Sequence, residues 1–317
     1  MIRLKHLAVG AMCAATALLA AGSAFAWGND GHRVIALIAR KFIDMNPAVA
    51  TKVDAILSGP LDPPLAAGAN FAELGTWGDR YRDSSAARRT ATRQWHFVDL
   101  AYGAPDANAA CFGFPVLAPG QAAVDGPAAD CVVDKINQFR EELAAPGASP
   151  AERKLALLFL LHFVGDLHQP LHAAERNHDA GGNGVFVVVG DNATGTTLHG
   201  YWDSNTVSRL GSTPQGIADA LASEITPAQR TAWMSGAADG RALTWARASY
   251  DIAKANAYDA LPSKVRPCRI HHRDGPDTTE ACTEIDTTYA NAATGKARTQ
   301  LKKAGVRLAG MILEALQ

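Results

Sequence analysis

The sequence predicts a mainly α-helical single domain with one short β-hairpin. Three observations carry this: apolar residues recur at helical spacing along most of the chain, one segment alone alternates as paired strands do, and no linker of distinct composition divides the chain. With 317 residues and 48% apolar side chains, the chain is long enough to bury a large core.

The first 26 residues read as a secretory signal: Arg3 and Lys5 give a positive start, "LAVGAMCAATALLAAG" is an apolar stretch short for a membrane span, and "AFA" fits the small-x-small cleavage rule. The expected division is therefore 1–26 as signal and 27–317 as one folded domain. Cleavage after Ala26 makes Trp27 the new amino terminus and the product an exported protein, periplasmic or secreted, without a membrane anchor. "GHRVIALIARKFI" places Val34, Ile35, Ile38, Ala39 and Phe42 on one helical stripe. "AERKLALLFLLHFVGDLH" is apolar almost all round and should run through the core. "GVFVVVGDNATGTTLHGYWD" reads as strand, turn and strand. Two further helical stretches follow, residues 226–258 and 287–316, the last long enough to cross the domain. Residues 101–130 and 262–287 are rich in Gly, Pro and Ala and read as long loops.

Loss of Arg3 and Lys5 leaves 28 basic against 31 acidic side chains, a net charge near −3. That balance argues against a protein gripping phosphate backbones through Lys and Arg alone. Cys13 departs with the signal, and Cys111, Cys131, Cys268 and Cys282 remain. Their grouping favours Cys111 with Cys131 and Cys268 with Cys282, although four cysteines allow three connectivities. A zinc site from Cys268, His271, His272 and Cys282 is a weaker alternative in an exported chain.

The histidines carry the chemistry. In "HFVGDLHQPLH", His162 and Asp166 are four apart, one turn above the other on a helix and able to grip one metal. Pro170 cannot continue the helix, so His172 is re-aimed, while His168 falls on another face and reads as a supporting or packing residue. "HGYWD" repeats the spacing in His199 and Asp203; "QWHFVD" adds His96 and "TWGDR" adds Asp79. One His–x₃–Asp pair is more often an ion pair than a metal site. Two of them, one inside "LALLFLLHFVGD" where unpaired polar groups are costly to bury, are better compensated by a metal cluster.

In that order "WGNDGH", "WGDRYR", "WHFVD", "HFVGDLHQPLH", "GGN" and "LHGYWD" resemble the zinc-dependent single-strand nucleases of the S-one/P-one type, also called type I nucleases. The resemblance implies a mainly helical domain with three zinc ions in a cleft, a monomer that cleaves single-stranded RNA and DNA, or nucleotides, to leave 5′-phosphates. It further implies that Asp79, His96, His162 and Asp166 hold one zinc. Trp27, through its free α-amine and carbonyl, and His32 would hold a second with Asp166 bridging, and His172, His199 and Asp203 the third. Asp99 matches a carboxylate that orients the attacking water, Arg82 a cation on the phosphate, and Phe97 and Asn183 contacts to the substrate; simple packing is an equal reading for Phe97. A phospholipase C is the alternative, since such enzymes share the tri-zinc scaffold and amino-terminal tryptophan. Against it stand Asp203, where those enzymes usually place glutamate, and Phe97 with Asp99. A periplasmic zinc-storage protein would need neither Asp99 nor Arg82.

Overall fold

The helix Pro150–His168 forms the axis around which the other elements pack. Its start is fixed by a reciprocal cap, in which the Glu152 amide donates to Ser149 Oγ at 3.2 Å and the Ser149 amide to Glu152 Oε2 at 2.6 Å, with Pro150 supplying a preset first turn. Every residue from Ala156 to His168 is buried, as an all-round apolar helix requires. The structure is a computed structural model that describes residues 27–272 and 275–317; the expected signal, residues 1–26, lies outside the described residues.

Around this central helix stand the helices Gly28–Ile43, Trp77–Asp83, Val132–Ala144, Ala238–Ile252 and Thr287–Ala315. The Thr287–Ala315 helix starts on Asp286, whose carboxylate accepts the Tyr289 amide at 2.7 Å, and packs along the amino-terminal helix. The two backbones approach so closely that a Cβ at Gly305 would meet Ile38 Cγ2 at 2.4 Å. No helix among the described residues is long and apolar enough to cross a membrane.

The sheet is larger than the single expected hairpin. Strand β1 (Phe186–Val189) pairs antiparallel with the short β2 (Thr196–Thr197), and β1 pairs parallel with β4 (Thr278–Ile285), which is antiparallel to β3 (Val265–Ile270). The segment 262–287, expected to be a loop, is thus mostly a second hairpin. Pro267 and seven charged or hydroxylated residues disguise it, because only Cys268, Ile270, Cys282 and Ile285 are buried. A second difference concerns "LHGYWD", expected to end a strand. From Leu198 the chain is helical, and Tyr201–Asn205 is a π-turn inside that helix.

The cysteines pair as their grouping favours, Cys111 with Cys131 and Cys268 with Cys282. The second pair removes the thiolates that the Cys268, His271, His272, Cys282 zinc alternative needed. His168 packs as expected: its Nδ1 donates to Val164 O at 2.7 Å and its Nε2 accepts from Arg307 at 2.7 Å, so it ties the central helix to Thr287–Ala315.

Candidate metal centre

Four helices, two 3-10 turns and one π-turn deliver the imidazoles and carboxylates to one place. His162 and Asp166 leave the central helix one turn apart, and both are fully buried. His162 Nδ1 lies 2.8 Å from Gly75 O; a carbonyl only accepts, so Nδ1 carries the proton and Nε2 presents a bare lone pair. That lone pair faces His96 Nδ1 at 3.2 Å, Asp166 Oδ2 at 3.3 Å and Asp79 Oδ1 at 3.5 Å. His96 Nδ1 is 2.9 Å from Asp166 Oδ2. The other Asp166 oxygen, Oδ1, is 3.2 Å from His32 Nε2, so this carboxylate spans two groups of donors.

Room for the rings comes from glycine. A Cβ at Gly78 would sit 2.6 Å from the His162 ring, and one at Gly165 would sit 2.8 Å from His32 Nδ1. With both absent, His32 and His162 stack at 4.0 Å between centroids.

A third group lies beside these. The central helix ends at His168, and the 3-10 turn Pro170–His172 swings His172 back, as the proline predicts. His172 Nδ1 donates to His96 O at 2.7 Å and His199 Nδ1 to Gly181 O at 2.8 Å. Both Nε2 atoms are therefore bare, yet they stand 3.1 Å apart with Asp203 Oδ2 3.5 Å from that of His199. The π-turn at Tyr201–Asn205 carries Asp203; such turns recur at functional sites because they re-aim a side chain without ending the helix.

These groups fit a metal. Two lone pairs turned on each other repel unless a cation lies between them, and a proton does not serve. Burial, then the neighbouring His172, pushes His199 down to about 3, and burial pushes His172 down as well. Nε2 of His96 and Nδ1 of His32 are buried without a hydrogen-bond partner, and His32 Nε2 and Asp166 Oδ1, also buried, face only each other. Burial opposes charge on His162, but Asp166 and Asp79 outweigh it and raise this histidine to about 9, so its Nε2 lone pair takes up a proton at neutral pH unless a metal cation occupies it, and the first group draws positive charge to itself. Burial, reinforced by Asp79, holds Asp203 far above the ordinary carboxylate range despite its bond from Gln169. Three groups, His32 with Asp79 and His162, His96 with His162 and Asp166, and His172 with His199 and Asp203, each bring their donor atoms within 4.8 Å of one another. Nitrogen and oxygen donors of these types suit zinc among the divalent ions.

Trp27 sits at the same place, its nitrogen still a peptide nitrogen in the uncleaved chain. Its side chain is fully buried, its backbone nitrogen donates to Asp203 Oδ1 at 3.1 Å, and its carbonyl accepts the Gly31 amide at 3.0 Å. A peptide nitrogen has a proton to give and no free lone pair; only a free α-amine could act as a ligand there.

Three of the donors, His96, His172 and His199, line a cavity of about 340 Å³. Phe97, Asp99, Arg82 and Asn183 all line it, together with His96 and His199. Arg82 is held by Asp79, from Nη1 at 2.6 Å, and by Asp83, from Nε at 2.9 Å. Burial, then the nearby charges of Glu175 and Asp179, pushes Asp99 up to about 7. Asn183 Nδ2 donates to Ala180 O at 2.8 Å, leaving its carbonyl facing Thr197.

Gln169, Glu175, Arg89 and Arg93 were not singled out from the sequence. Buried Gln169 donates to Asp203 Oδ1 at 2.7 Å, and the other three line the cavity. The "HQPLH" context was a clue for Gln169 alone.

A family model described as S1/P1 Nuclease matches residues 27–317. Nuclease S1 of Aspergillus oryzae (strain ATCC 42149 / RIB 40) is 31% identical over 192 residues, 60% of this chain and 58% of that protein. Endonuclease 2 of Arabidopsis thaliana is 30% identical over 219 residues, 66% and 67% of the two chains. Nuclease P1 of Penicillium citrinum is 25% identical over 291 residues, 91% and 97%. The chain thus spans less than two thirds of the first of these relatives and nearly all of the last. Their names do not favour the phospholipase alternative.

Proposed function

Because the chain belongs to the S1/P1 nuclease family, we propose that it is a zinc-dependent endonuclease that hydrolyses phosphodiester bonds of single-stranded RNA and DNA, leaving 5′-phosphates. The observation that carries this reading is the paired bare Nε2 atoms of His172 and His199, in a cavity also lined by His96, which contacts Asp166, and by Phe97, Asp99 and Arg82.

Asp79, His96, His162 and Asp166 would hold one ion, and Trp27 and His32 a second with Asp166 between them. His172, His199 and Asp203 would hold a third. Bound zinc supplies Lewis-acid charge beside the scissile phosphate. The chain's own residues do the rest. Asp99, held near neutrality by burial and by Glu175, accepts the proton of the attacking water. Arg82, pinned by Asp79 and Asp83, keeps its cation directed at a phosphate oxygen. Phe97 offers a stacking face to a base already out of a duplex, and stacking of this kind is worth roughly 1–3 kcal/mol while tolerating any sequence. Asn183 contributes its amide to the same substrate. A duplex, with its bases already stacked, is the poorer substrate.

The reading includes export and processing. The family match begins at Trp27, directly after the small-x-small triplet, and two disulfides accord with an oxidising compartment. Removal of residues 1–26 would turn the Trp27 nitrogen from an amide donor into an amine able to bind metal. The processed protein is expected to be a monomer.

The deciding experiment pairs metal analysis of the processed protein with hydrolysis of single-stranded RNA, single-stranded DNA and phosphatidylcholine. Three zinc ions per chain and cleavage of both nucleic acids, lost on chelation, are expected. Cleavage of the lipid alone, or no bound metal, would overturn the reading.

A further inference from the structure

We propose that Arg93, with Arg89 one helical turn before it, binds the phosphate next to the one that is cleaved, so that the site is built for strands rather than isolated nucleotides. The inference rests on the nuclease reading above and deepens it.

Three guanidiniums, Arg82, Arg89 and Arg93, line one cavity. Their charges are not equally spent. Arg82 is pinned by Asp79 and Asp83 and assigned to the phosphate that is cleaved, and Arg89 reaches the same Asp83 from Nη2 at 3.2 Å. Arg93, exposed, makes no ion pair and no side-chain hydrogen bond among the described residues. Arg89 and Arg93 also stand four apart, a like-charge spacing that is unfavourable on a helix unless an anion lies between. Arg88 provides the contrast. On the same helix, Ala86–Thr92, it is paired with Asp62 at 2.6 Å and its guanidinium covers the Tyr81 ring at 4.2 Å.

Position points to a phosphate of the same strand. Arg93 opens the 3-10 turn Arg93–His96 that closes on His96, whose ring belongs to the metal cluster, so a short rigid turn links the free cation to the reacting centre. Glu175, which lines the cavity from another segment, repels phosphate and accepts base N–H groups. A strand in the cavity is therefore oriented with the neighbouring phosphate toward Arg89 and Arg93 and bases toward Phe97 and Glu175. Guanidinium suits that phosphate because its fork matches two oxygens at once.

The test compares the processed enzyme with Arg93→Gln, Arg93→Lys and, as control, Arg88→Gln. Substrates are a dinucleoside monophosphate, which has one phosphodiester and no neighbouring phosphate, and a single-stranded oligonucleotide. Arg93→Gln should raise KM for the oligonucleotide about tenfold, the scale of one charge-assisted bond, with kcat held within about twofold and the loss confined to that substrate. Arg93→Lys should recover part of it, and Arg88→Gln none of the defect should show. Anisotropy of a labelled phosphorothioate single strand, titrated against salt, gives a readout apart from turnover. The slope of log Kd against log salt should shrink by about 0.7 for one lost contact on a single strand. An equal rise in KM for both substrates, or an unchanged slope, would overturn the proposal. If wild type cleaves neither substrate the nuclease reading itself fails, and that outcome is distinct from intact cleavage that Arg93→Gln leaves untouched.

Discussion

Asp99 shows how one side chain couples stability to chemistry. Its folded value near 7 lies above its ordinary 3.8, so the fold holds the proton more tightly than the unfolded chain does. The stability this contributes is fully present below about pH 4 and is lost as pH rises through 7. Asparagine never ionises. In chelated protein, Asp99→Asn should therefore match wild type near pH 4 and melt higher above pH 7, as thermal melts across that range would record. The same substitution should cost about 10²–10⁴ in kcat for RNA in the loaded enzyme while the bound zinc is unchanged, a combination that a storage protein would not show. Trp27 poses the complementary question. One extra glycine left ahead of it keeps its nitrogen an amide, and elemental analysis should then find one ion fewer per chain than in correctly processed protein.

At the scale of elements the site depends on what the central helix omits. Gly165→Ala would drive a methyl group to 2.8 Å from His32 Nδ1 and 3.3 Å from Ile35 Cδ1, two buried neighbours with little space to yield. Such overpacking costs about 1–3 kcal/mol, and it should weaken the His32 position first. We expect a lower melting temperature and loss of one ion, measured together; an unaltered metal content would mean that His32 is not a ligand. Much of this element was legible beforehand. The four-residue spacing in His162/Asp166 and His199/Asp203 survives in any helical geometry, and Pro170 announces the turn that re-aims His172. The hairpin Val265–Ile270 and Thr278–Ile285 was not legible, because only four of its side chains are buried and Pro267 interrupts the pattern. Nor were Glu175, Arg89 and Arg93: their common cavity arises from segments far apart in sequence, and local pattern does not report tertiary proximity.

The whole molecule brings its donors from both ends of the chain's first two thirds. His32 comes from the amino-terminal helix, Asp79 from a short helix, and His96 from a 3-10 turn. His162 and Asp166 follow from the central helix, and Asp203 from the π-turn. Without cations, those carboxylates and bare imidazoles are buried together at a cost; with them, the same groups fasten the elements to one another. Ligand bound only by the folded state stabilises it by RT ln(1 + [L]/Kd), about 4 kcal/mol per site at a thousandfold excess over Kd. Chelation should accordingly lower the melting temperature by many degrees, and added zinc should restore it. Acid should imitate the chelator, since only neutral imidazole binds metal, and zinc should leave as pH falls below about 5. The Cys268–Cys282 hairpin, which contributes no donor, offers an internal control: proteolysis after chelation should cut first near the amino-terminal helix, which His32 alone ties to Asp166 by a side-chain contact. A melting curve indifferent to chelator would show that packing by itself holds these segments, and the ions would then serve chemistry only.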